Sequence, residues 1–578
     1  MKRFFKILAI ILTLTLFGST VASCGEDQTG NKYEIVVEPF SGSGFGYQWL
    51  KDLATDWMKD NPDYTVKVKE SSTYMAGDQL SQIAAGTTIT DVYYGSDPNY
   101  SPGIYKGYFE DLTDMLSVKP DGENGLTIRE KIMDFDNWQK VASKVSYDSA
   151  TDKFSYSGCY MLPHSITMTG LVYDHDKFLE LGLLTYAPNT AEVKGQLSAQ
   201  GITFDVSGSS LIFSSSTGST NYKSGDRILI AGKDGKYGTY DDGQPQTMAD
   251  FDEMVKNIVA MDAANKAFVY ATKDEYVSEL VNAYVVQYAG LDAYDALTKY
   301  DSNGKEITLD DGSKVVIDWN NGYLAHSVKG VRGAVEFLNE YFYKDPTYYT
   351  YGNYVQNAQA RFIAGGIGQA DYVAMIAEGN WFELEAMETL KSAEPFGKGY
   401  GQVDYRMMLL PNIEGQKGID GNGHGSVIAS SEAGAITVRK QADAEKLAAI
   451  KDFIAFTLTE KALSTTTVNT GLIRGYKYSL TPAQLSAMTP FVRNCYLAYQ
   501  DTANVKVLTS ATDLLRSPFP YAAVGYMADV GFLPCKGVKS LLNSLKSNGD
   551  VTSVVNGVAG NYSQSTWKEF LASIKNSL

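Results

Sequence analysis

After residue 32, the chain alternates between the two-residue hydrophobic period of a strand and the 3.6-residue period of a helix. Tyr33–Phe40 is a short run with β-branched residues, and between residues 47 and 59 apolar side chains recur at i, i+3, i+4, i+7 and i+8, as on one face of a helix. Residues 65–70 alternate as a strand, residues 77–85 repeat the helical pattern, and residues 91–95 indicate a further strand. The order β-α-β-α-β predicts an open, mostly parallel sheet.

The rest of the chain predicts a second α/β region. Met168–Tyr173 indicates a strand that leads into a helix, and residues 190–242, rich in Ser, Gly and Thr, favour a small β-rich insertion. Short strands are expected at Ala370–Ile376, Tyr405–Leu410 and Ser426–Ala429. Amphipathic patterns predict helices at Asp250–Asp262, Asp274–Ala289, Lys329–Tyr343, Tyr354–Ala364 and Ala442–Leu458.

The first residues carry an export signal. Basic residues precede an apolar run over residues 7–17, which is too short to span a bilayer. Val-Ala-Ser-Cys at residues 21–24 resembles the lipobox of bacterial lipoproteins, in which the peptidase cuts before the cysteine and a diacylglycerol is attached to its sulfur. The pattern therefore predicts a signal peptide over 1–23, lipidation (diacylglycerol and palmitate) at Cys24 and a flexible tether over 24–32. An ordinary secretory signal is the alternative.

Composition excludes some partners and some chemistries. A length of 578 residues predicts two or three domains, and a net charge of −17 argues against a nucleic-acid partner. The four histidines are scattered, and no zinc motif, Walker lysine loop or GxSxG elbow is present. Tyrosine outnumbers phenylalanine 40 to 24, and its apolar face with a hydroxyl tip suits sugar rings as well as ordinary wet surfaces. Cys159, Cys495 and Cys535 are expected to be core thiols, with a Cys495–Cys535 disulfide as the alternative.

Seven phrases follow the lipobox in an order typical of one known family. They are LATDWMKDNPDYTVKV, LSQIAAGTTITDVYYGSDPNY, GYFEDLTDML, YMLPHSITMTGLVYDHDKFLELGL, FIAGGIGQADYVAMIAEGNWFELEA, YRMMLLPN and TGLIRG. The chain resembles the carbohydrate-type extracellular solute-binding lipoproteins of bacterial ABC importers (family 1 solute-binding proteins). This resemblance covers nearly the whole mature chain apart from the insertion. It implies an α/β, periplasmic-binding-protein-like fold, in which two α/β lobes are joined by hinge strands and the ligand binds in the cleft between them.

The resemblance divides the chain into segments of different role. The segments are a signal peptide at 1–23, a tether at 24–32, the N-terminal part of lobe 1 at 33–165, a crossover into lobe 2 at 166–189, a β-rich insertion at 190–243, mainly lobe 2 with returns through the hinge at 244–460, and a helical C-terminal region at 461–578.

A sugar site needs aromatic faces and planar polar side chains where strands end in loops. Trp381, in EGNWFELEA, matches the family position where a Trp commonly stacks on a sugar; a buried Trp that braces the lobe is the alternative. The other candidate ligand contacts are Tyr94, Asp97 and Tyr100 after the third strand, Ser43 after the first, Asp371 and Tyr372 before VAMIAEG, and Arg474 in TGLIRG. Each has a structural alternative: a turn, a cap, a core position or, for Arg474, an ion pair.

The loop AGKDGKYGTYDDG over residues 231–243 concentrates aspartates and glycines. Counted from Asp234, positions 3, 5 and 12 lack the oxygen ligands of an EF-hand. Asp234, Asp241 and Asp242, together with main-chain carbonyls, could still supply the hard oxygens of a structural calcium ion (Ca²⁺). A capped turn is the alternative, and no organic cofactor is expected.

Together these features predict a binding protein and not an enzyme. It would capture a carbohydrate, an oligosaccharide given the chain length, and deliver it to ABC permease subunits. It would act as a monomer at the extracellular face of the bacterial cell membrane, anchored through Cys24. An extracellular polysaccharide-degrading enzyme and a ligand-sensing lipoprotein that feeds a signalling kinase are the alternatives.

Overall fold

The computed structural model describes residues 33–42, 44–70, 72, 74–96, 99–151, 153–188, 190–200, 203–207, 210–215, 218–223, 227–272, 276–365, 367, 371–419, 421, 425–429, 433–508, 544–545, 547, 549–560 and 563–577. The signal peptide, the tether with Cys24, and the predicted residues Ser43, Asp97 and Cys535 lie outside these ranges. Among the described helices, none combines the length and the apolar character needed to cross a bilayer.

The first lobe is built on a five-stranded sheet. Its N-terminal elements are β1 (Glu34–Pro39), α1 (Gln48–Asp60), β2 (Thr65–Val68), α2 (Ala76–Ala84), β3 (Val92–Tyr94), α3 (Ser101–Tyr105), α4 (Ile128–Lys131), α5 (Phe135–Ala142), β4 (Lys144–Asp148), β5 (Lys153–Ser157) and β6 (Leu162–Ile166), with a 3₁₀ turn at Thr113–Ser117. The C-terminal part of the chain returns to the first sheet with β20 and adds β21 to the second sheet. Its elements are β20 (Ala433–Val438), α15 (Ala444–Thr457), α16 (Glu460–Thr470), α17 (Pro482–Ala487), α18 (Pro490–Gln500), β21 (Val505–Leu508), α19 (Val551–Gly560) and α20 (Gln564–Ser577).

The second lobe and the insertion occupy the middle of the chain. Their elements are β7 (Thr169–Asp174), α6 (His175–Leu181), β8 (Tyr186–Pro188), α7 (Ala191–Ala199), β9 (Thr203–Ser207), β10 (Ser210–Ser215), β11 (Gly218–Lys223), β12 (Arg227–Leu229), α8 (Met248–Met261), β13 (Lys266–Ala271), α9 (Tyr276–Ala289), α10 (Leu291–Lys299), β14 (Glu306–Thr308), β15 (Lys314–Val316), α11 (Lys329–Asn339), β16 (Tyr349–Gly352), α12 (Val355–Ala364), β17 (Val373–Gly379), α13 (Phe382–Glu385), α14 (Met387–Ala393), β18 (Tyr405–Met408) and β19 (Ser426–Ala429). Short 3₁₀ turns lie at Gly322–Ser327 and Glu394–Phe396, and a π turn at Glu340–Lys344 extends α11.

Each lobe has its own sheet. The first sheet has the strand order β2-β1-β3-β20-β6, with β1 parallel to β2 and β3. The second has the order β16-β13-β17-β7-β19-β21, with β18 also paired to β7, and its strands β16, β13 and β17 are parallel. Helix α1 buries the apolar face predicted from its periodicity, including Leu50 and Trp57, against the first sheet, and it also buries Trp49. The apolar cluster around this helix continues onto one face of the second sheet, where it includes Val269 and Ile376, and a separate cluster packs on the other face of that sheet.

The chain passes between the two sheets at several points. Strand β6 of the first sheet ends at Ile166 and β7 of the second begins at Thr169, so only two residues separate the lobes there. Strands β19 and β20 also belong to different sheets. These short crossings agree with the predicted arrangement of two lobes joined by hinge strands.

The predicted β-rich insertion is present, with small adjustments elsewhere. Strands β9, β10 and β11 form an antiparallel three-stranded sheet, and β12 pairs with β8. The strand expected at Ala370–Ile376 is found as β17, with its bounds shifted by three residues to Val373–Gly379. Cys159 and Cys495 are buried free thiols, as expected for core cysteines.

Candidate ligand-binding site

A cavity of about 230 Å³ lies where the edges of the two sheets meet. Its described lining consists of Phe40, Phe45, Met75, Gly95, Ser96, His164, Ser165, Thr167, Tyr276, Trp381 and Leu472. Phe40 and Gly95 follow the parallel strands β1 and β3, whereas Trp381 follows β17. The cavity is therefore at the carboxyl ends of strands from both lobes, the usual position for ligands in open α/β sheets.

A larger cavity of about 540 Å³ lies along β21 rather than at these strand ends. Its lining is mainly apolar, for example Ile132, Trp138 and Leu291, and it reaches Leu508, where the described chain stops until residue 544. The smaller cavity is the candidate site because it lies at the carboxyl ends of strands from both lobes and combines aromatic with hydrogen-bonding side chains.

Trp381 is one of the aromatic residues that line the cavity, and its role as a ligand contact stays a prediction. The side chain is 5% exposed, and its ring meets that of Tyr276 edge-on at a centroid distance of 5.3 Å. A Cβ at Gly379 would lie 2.4 Å from the indole ring, so only glycine allows the ring to fold back over the end of β17. The indole Nε1 has no hydrogen-bond partner, which leaves one buried donor beside the cavity.

His164 forms part of the opposite wall, and sequence reasoning missed it. Its ring stacks on Trp49 at a centroid distance of 5.4 Å, and its Nδ1 has no hydrogen-bond partner. Burial, and to a smaller extent the charge of Arg474, hold the pKa of His164 well below its usual value. The imidazole is therefore neutral and carries one donor and one acceptor, a combination that matches a sugar hydroxyl.

Arg474 lies directly behind His164 and outside the cavity lining. Its Nε donates to the His164 carbonyl at 2.6 Å, and its guanidinium carbon is 5.5 Å from the centre of the Trp49 ring. The side chain is 0% exposed, both Nη atoms lack partners, and burial lowers the pKa of Arg474. Arg474 was predicted as a ligand contact with an ion pair as the alternative, but it lies outside the cavity lining, and no described carboxylate forms an ion pair with it. The side chain is held by a carbonyl and lies beside the Trp49 ring.

Two predicted ligand contacts belong to the lobe-1 core. Tyr94 and Tyr100 are both fully buried. The Tyr94 hydroxyl is hydrogen-bonded to Thr457 at 3.1 Å, and the Tyr100 hydroxyl donates to Gln79. The expectation that these tyrosines face the ligand is therefore wrong, because β3 is covered on both faces and only the residues just past it enter the cleft.

Asp371 and Tyr372 lie at the wrong end of their strand for a ligand contact. They precede β17, whereas the cleft is at its carboxyl end, next to Trp381. A seven-residue strand spans about 20 Å, so neither side chain reaches the cavity. The sequence analysis took ligand contacts from the loop before β17, whereas ligands of open α/β sheets lie at the carboxyl ends of the strands.

The two lobes contact each other across the cleft. Gly44 has φ +79°, and a Cβ there would lie 2.6 Å from the Cβ of Leu384 in α13. The loop after β1 therefore packs directly on the helix that follows Trp381, and a larger residue at position 44 would hold the lobes apart. The two lobes are therefore in direct contact beside the cleft.

The aspartate-glycine loop is tied together by hydrogen bonds. Asp241 accepts from the Lys233 N–H at 2.6 Å and from the Thr239 hydroxyl, whereas Asp242 accepts from the Gly238 N–H at 2.6 Å. Burial and the neighbouring carboxylate raise the pKa of Asp241, an electrostatic cost that a divalent cation would relieve. Among the described residues, however, no group of three or more His, Cys, Asp or Glu side chains is arranged to hold a metal ion. The hydrogen bonds fit a capped turn, and calcium stays a prediction.

Lys233 anchors this loop to the second lobe. Its buried ammonium donates to the carbonyl of Leu410, to the Asn412 side chain at 3.2 Å and to the Ser426 hydroxyl at 2.8 Å. Burial lowers the pKa of Lys233 to about 7. The loop therefore connects the insertion to β18 and β19 and lies apart from the cavity lining.

Two α/β lobes with a cleft at the carboxyl ends of their strands define the periplasmic-binding-protein-like class of fold. No family model matches the sequence, and no curated protein matches it. A solved chitin oligosaccharide binding protein is similar in fold, with a TM-score of 0.51 and 15% identity over 93% of this chain and 99% of the other. The predicted fold is confirmed by this similarity.

Other solved structures cover the chain with lower scores. Apo RafE from Streptococcus pneumoniae has a TM-score of 0.49 and 16% identity, over 95% of this chain and all of the other. The ABC substrate-binding protein Lmo0181 from Listeria monocytogenes, solved with cycloalternan, has a TM-score of 0.49 and 12% identity, over 94% of this chain and all of the other.

Proposed function

We propose that this protein captures a carbohydrate in the cleft between its lobes and delivers it to the permease of an ABC importer. The observation that carries the proposal is Trp381, a buried indole with an unused N–H at the carboxyl edge of the second sheet, facing a cavity walled by His164 of the first lobe. The similar fold of a chitin oligosaccharide binding protein supports the choice of a sugar as the ligand.

The chemistry of the cavity suits a sugar ring. Phe40, Tyr276 and Trp381 offer aromatic surfaces to the C–H face of the ring, whereas His164 and Ser165 offer hydrogen-bonding groups to its hydroxyls. Since the imidazole is neutral, it can donate to one hydroxyl and accept from another.

Binding without turnover is the function that this lining favours. A polysaccharide-degrading enzyme needs a pair of carboxyl groups on either side of the scissile bond. The described residues that line the cavity include no Asp or Glu. Hydrolysis of any glycan by the purified protein, abolished by replacing one acidic residue, would favour the enzyme instead.

We further propose that the mature protein is a monomer anchored by lipid on Cys24 at the extracellular face of the cell membrane. Support comes from the lipobox at residues 21–24 and the polar tether after it. Deletion of the protein should reduce sugar uptake by intact cells. Unchanged uptake together with loss of a sugar-induced transcriptional response would favour the sensor alternative.

The experiment that tests the proposal is a glycan screen of the purified mature protein, followed by calorimetry with the sugar that binds. Trp381→Ala should weaken binding by about 1–3 kcal/mol, because the aromatic contact area is lost. Trp319→Ala, on a partly buried Trp in a separate apolar cluster, is the matched control and should not change affinity. Unchanged affinity in a folded Trp381→Ala variant would remove Trp381 from the site.

A further inference from the structure

The edge strand of the second sheet carries a row of tyrosines. Tyr349 and Tyr351 of β16 are two positions apart, so their side chains share one face of the strand. Both rings lie near that of Tyr270, at centroid distances of 6.0 and 6.2 Å. Tyr351 is 52% exposed, and Tyr354, just beyond the strand, is 50% exposed. Two large exposed aromatic rings therefore lie within four residues at one end of β16.

This end of β16 is at the same sheet edge as the cavity. Strands β16 and β17 are both parallel to β13, which lies between them. Gly352 of β16 pairs with Ala271 at the carboxyl end of β13, and the Thr272 N–H donates to the Gly352 carbonyl at 3.0 Å. Because adjacent strands are spaced by about 5 Å, the ends of β16 and β17 are roughly 10 Å apart. Trp381 follows directly after β17.

The cavity itself is small for an extended ligand. Its volume of about 230 Å³ is below the roughly 300–1,000 Å³ that is typical of ligand pockets. A longer ligand held at Trp381 must therefore continue outside the cavity. Tyr276 follows β13, the strand between β17 and β16, and its ring contacts that of Trp381.

The chemistry of the tyrosine row matches a sugar chain. A tyrosine ring offers an apolar face, and its hydroxyl remains able to hydrogen-bond, so both parts of a pyranose or furanose unit can be satisfied. An exposed amide, Asn353, lies between the two exposed rings. Clusters of exposed aromatic rings on a soluble surface commonly mark a binding site, whereas single ones do not.

We propose that Tyr351 and Tyr354 form an outer subsite that stacks on later units of a neutral oligosaccharide whose first unit occupies the cavity at Trp381. The inference rests on the proposed sugar-binding function and adds a specific surface to it. The cavity at Trp381 then recognises the terminal sugar unit, and the outer subsite makes longer oligosaccharides bind more tightly than short ones.

The test is calorimetry with malto-, cello-, chito- and fructo-oligosaccharides of one to six units. Wild-type protein should bind the longer members of one series at least tenfold more tightly than the shortest member that binds. The double variant Tyr351→Ala/Tyr354→Ala should lose that gain and keep the affinity for the shortest member. Tyr351→Phe/Tyr354→Phe, which keeps the ring faces, should retain it. Tyr156→Ala, which removes an exposed tyrosine from β5 in the first lobe, is the matched control and should behave as wild type.

The possible results separate the outer subsite from the function on which it rests. Equal affinity for short and long chains, or an equal loss for both in the double variant, would overturn the subsite and leave sugar binding intact. If Trp381→Ala lost all binding and the wild-type affinity did not depend on oligosaccharide length, the outer subsite would likewise be overturned and sugar binding at Trp381 would stand. Failure of every series to bind wild-type protein would count against both proposals.

Discussion

Two reciprocal hydrogen bonds join Asn380 to the main chain of Met168. The Asn380 N–H donates to the Met168 carbonyl at 2.9 Å, and the Met168 N–H donates to the Asn380 Oδ1 at 3.0 Å. Met168 lies in the two-residue crossing between β6 and β7, and Asn380 immediately precedes Trp381. The crossing between the lobes is therefore attached directly to the loop that carries the principal ligand-contact candidate.

Removing the side chain of Asn380 should uncouple this loop from the crossing. We expect Asn380→Ala to lower the free energy of unfolding by about 1–3 kcal/mol, because the buried Met168 N–H loses its acceptor. Sugar affinity should also fall, since Trp381 is no longer positioned. Urea unfolding and calorimetry measure the two effects. Asn320→Ala, at an exposed loop position, is the control, and equal behaviour of the two variants would contradict the coupling.

Sugar binding should be independent of pH down to about pH 6.5, where an ordinary histidine is already half protonated. Burial and Arg474 hold the pKa of His164 well below 6.5, so its imidazole is neutral from about pH 6.5 upward. We expect wild-type affinity to be flat over this range, and His164→Ala to weaken binding at every pH by roughly tenfold, the loss of about one hydrogen bond to a buried partner. His164→Gln should recover part of the affinity. A wild-type affinity that falls between pH 8 and about pH 6.5 would contradict a neutral His164.

The sequence predicted the features that depend on local periodicity. Helix α1 was expected at residues 47–59 and is found at Gln48–Asp60, and α12 was expected at Tyr354–Ala364 and is found at Val355–Ala364. The position of Trp381 after a strand and before a helix is also local, which is why the sequence placed it in the cleft.

The features that the sequence did not predict depend on contacts between distant residues. His164 and Arg474 are 310 positions apart, so no spacing pattern could join them. Tyr94 was expected in the cleft because it ends a strand, but β20 and α15 cover that strand and bury the ring. Asp371 was placed correctly before β17, but the cleft lies at the other end of that strand, and which end faces the first lobe depends on how the two sheets are arranged.

The buried charge of Arg474 should lower the free energy of unfolding, whereas its hydrogen bond to the His164 carbonyl should favour sugar binding. Replacement of a buried, unpaired charge by an apolar side chain of similar volume is often neutral or stabilising. We therefore expect Arg474→Met to keep or raise the free energy of unfolding, and to lower sugar affinity because the His164 carbonyl loses its donor. Arg332→Met, which breaks the ion pair with Asp310, should instead lower stability. Equal destabilisation by both variants would show that Arg474 has a compensating partner.

Glu383 should make stability depend on pH. Burial raises the pKa of Glu383 to about 7, although Thr489 and the Gly401 N–H donate to it. Because this folded pKa exceeds the usual value of 4.5, the folded state holds the Glu383 proton more tightly than the unfolded state does. The contribution of that proton to the free energy of unfolding is fully present below about pH 4.5 and is lost as the pH rises through 7. Glu383→Gln should therefore gain about 1–3 kcal/mol relative to wild type between pH 5 and pH 8, measured by urea unfolding. Glu388→Gln, on an exposed side chain, should show no such gain.

Calcium should stabilise the aspartate-glycine loop if the repulsion between its buried carboxylates is the dominant effect. We expect calcium to raise the melting temperature and a chelator to lower it, because a divalent cation would neutralise adjacent Asp241 and Asp242. Asp241→Asn should remove the response, whereas Asp311→Asn, in an exposed Asp-Asp-Gly turn, should retain it. Metal analysis of the purified protein measures occupancy directly. A chelator-insensitive melt with no bound calcium would show that hydrogen bonds from Lys233, Gly238 and Thr239 alone hold the loop.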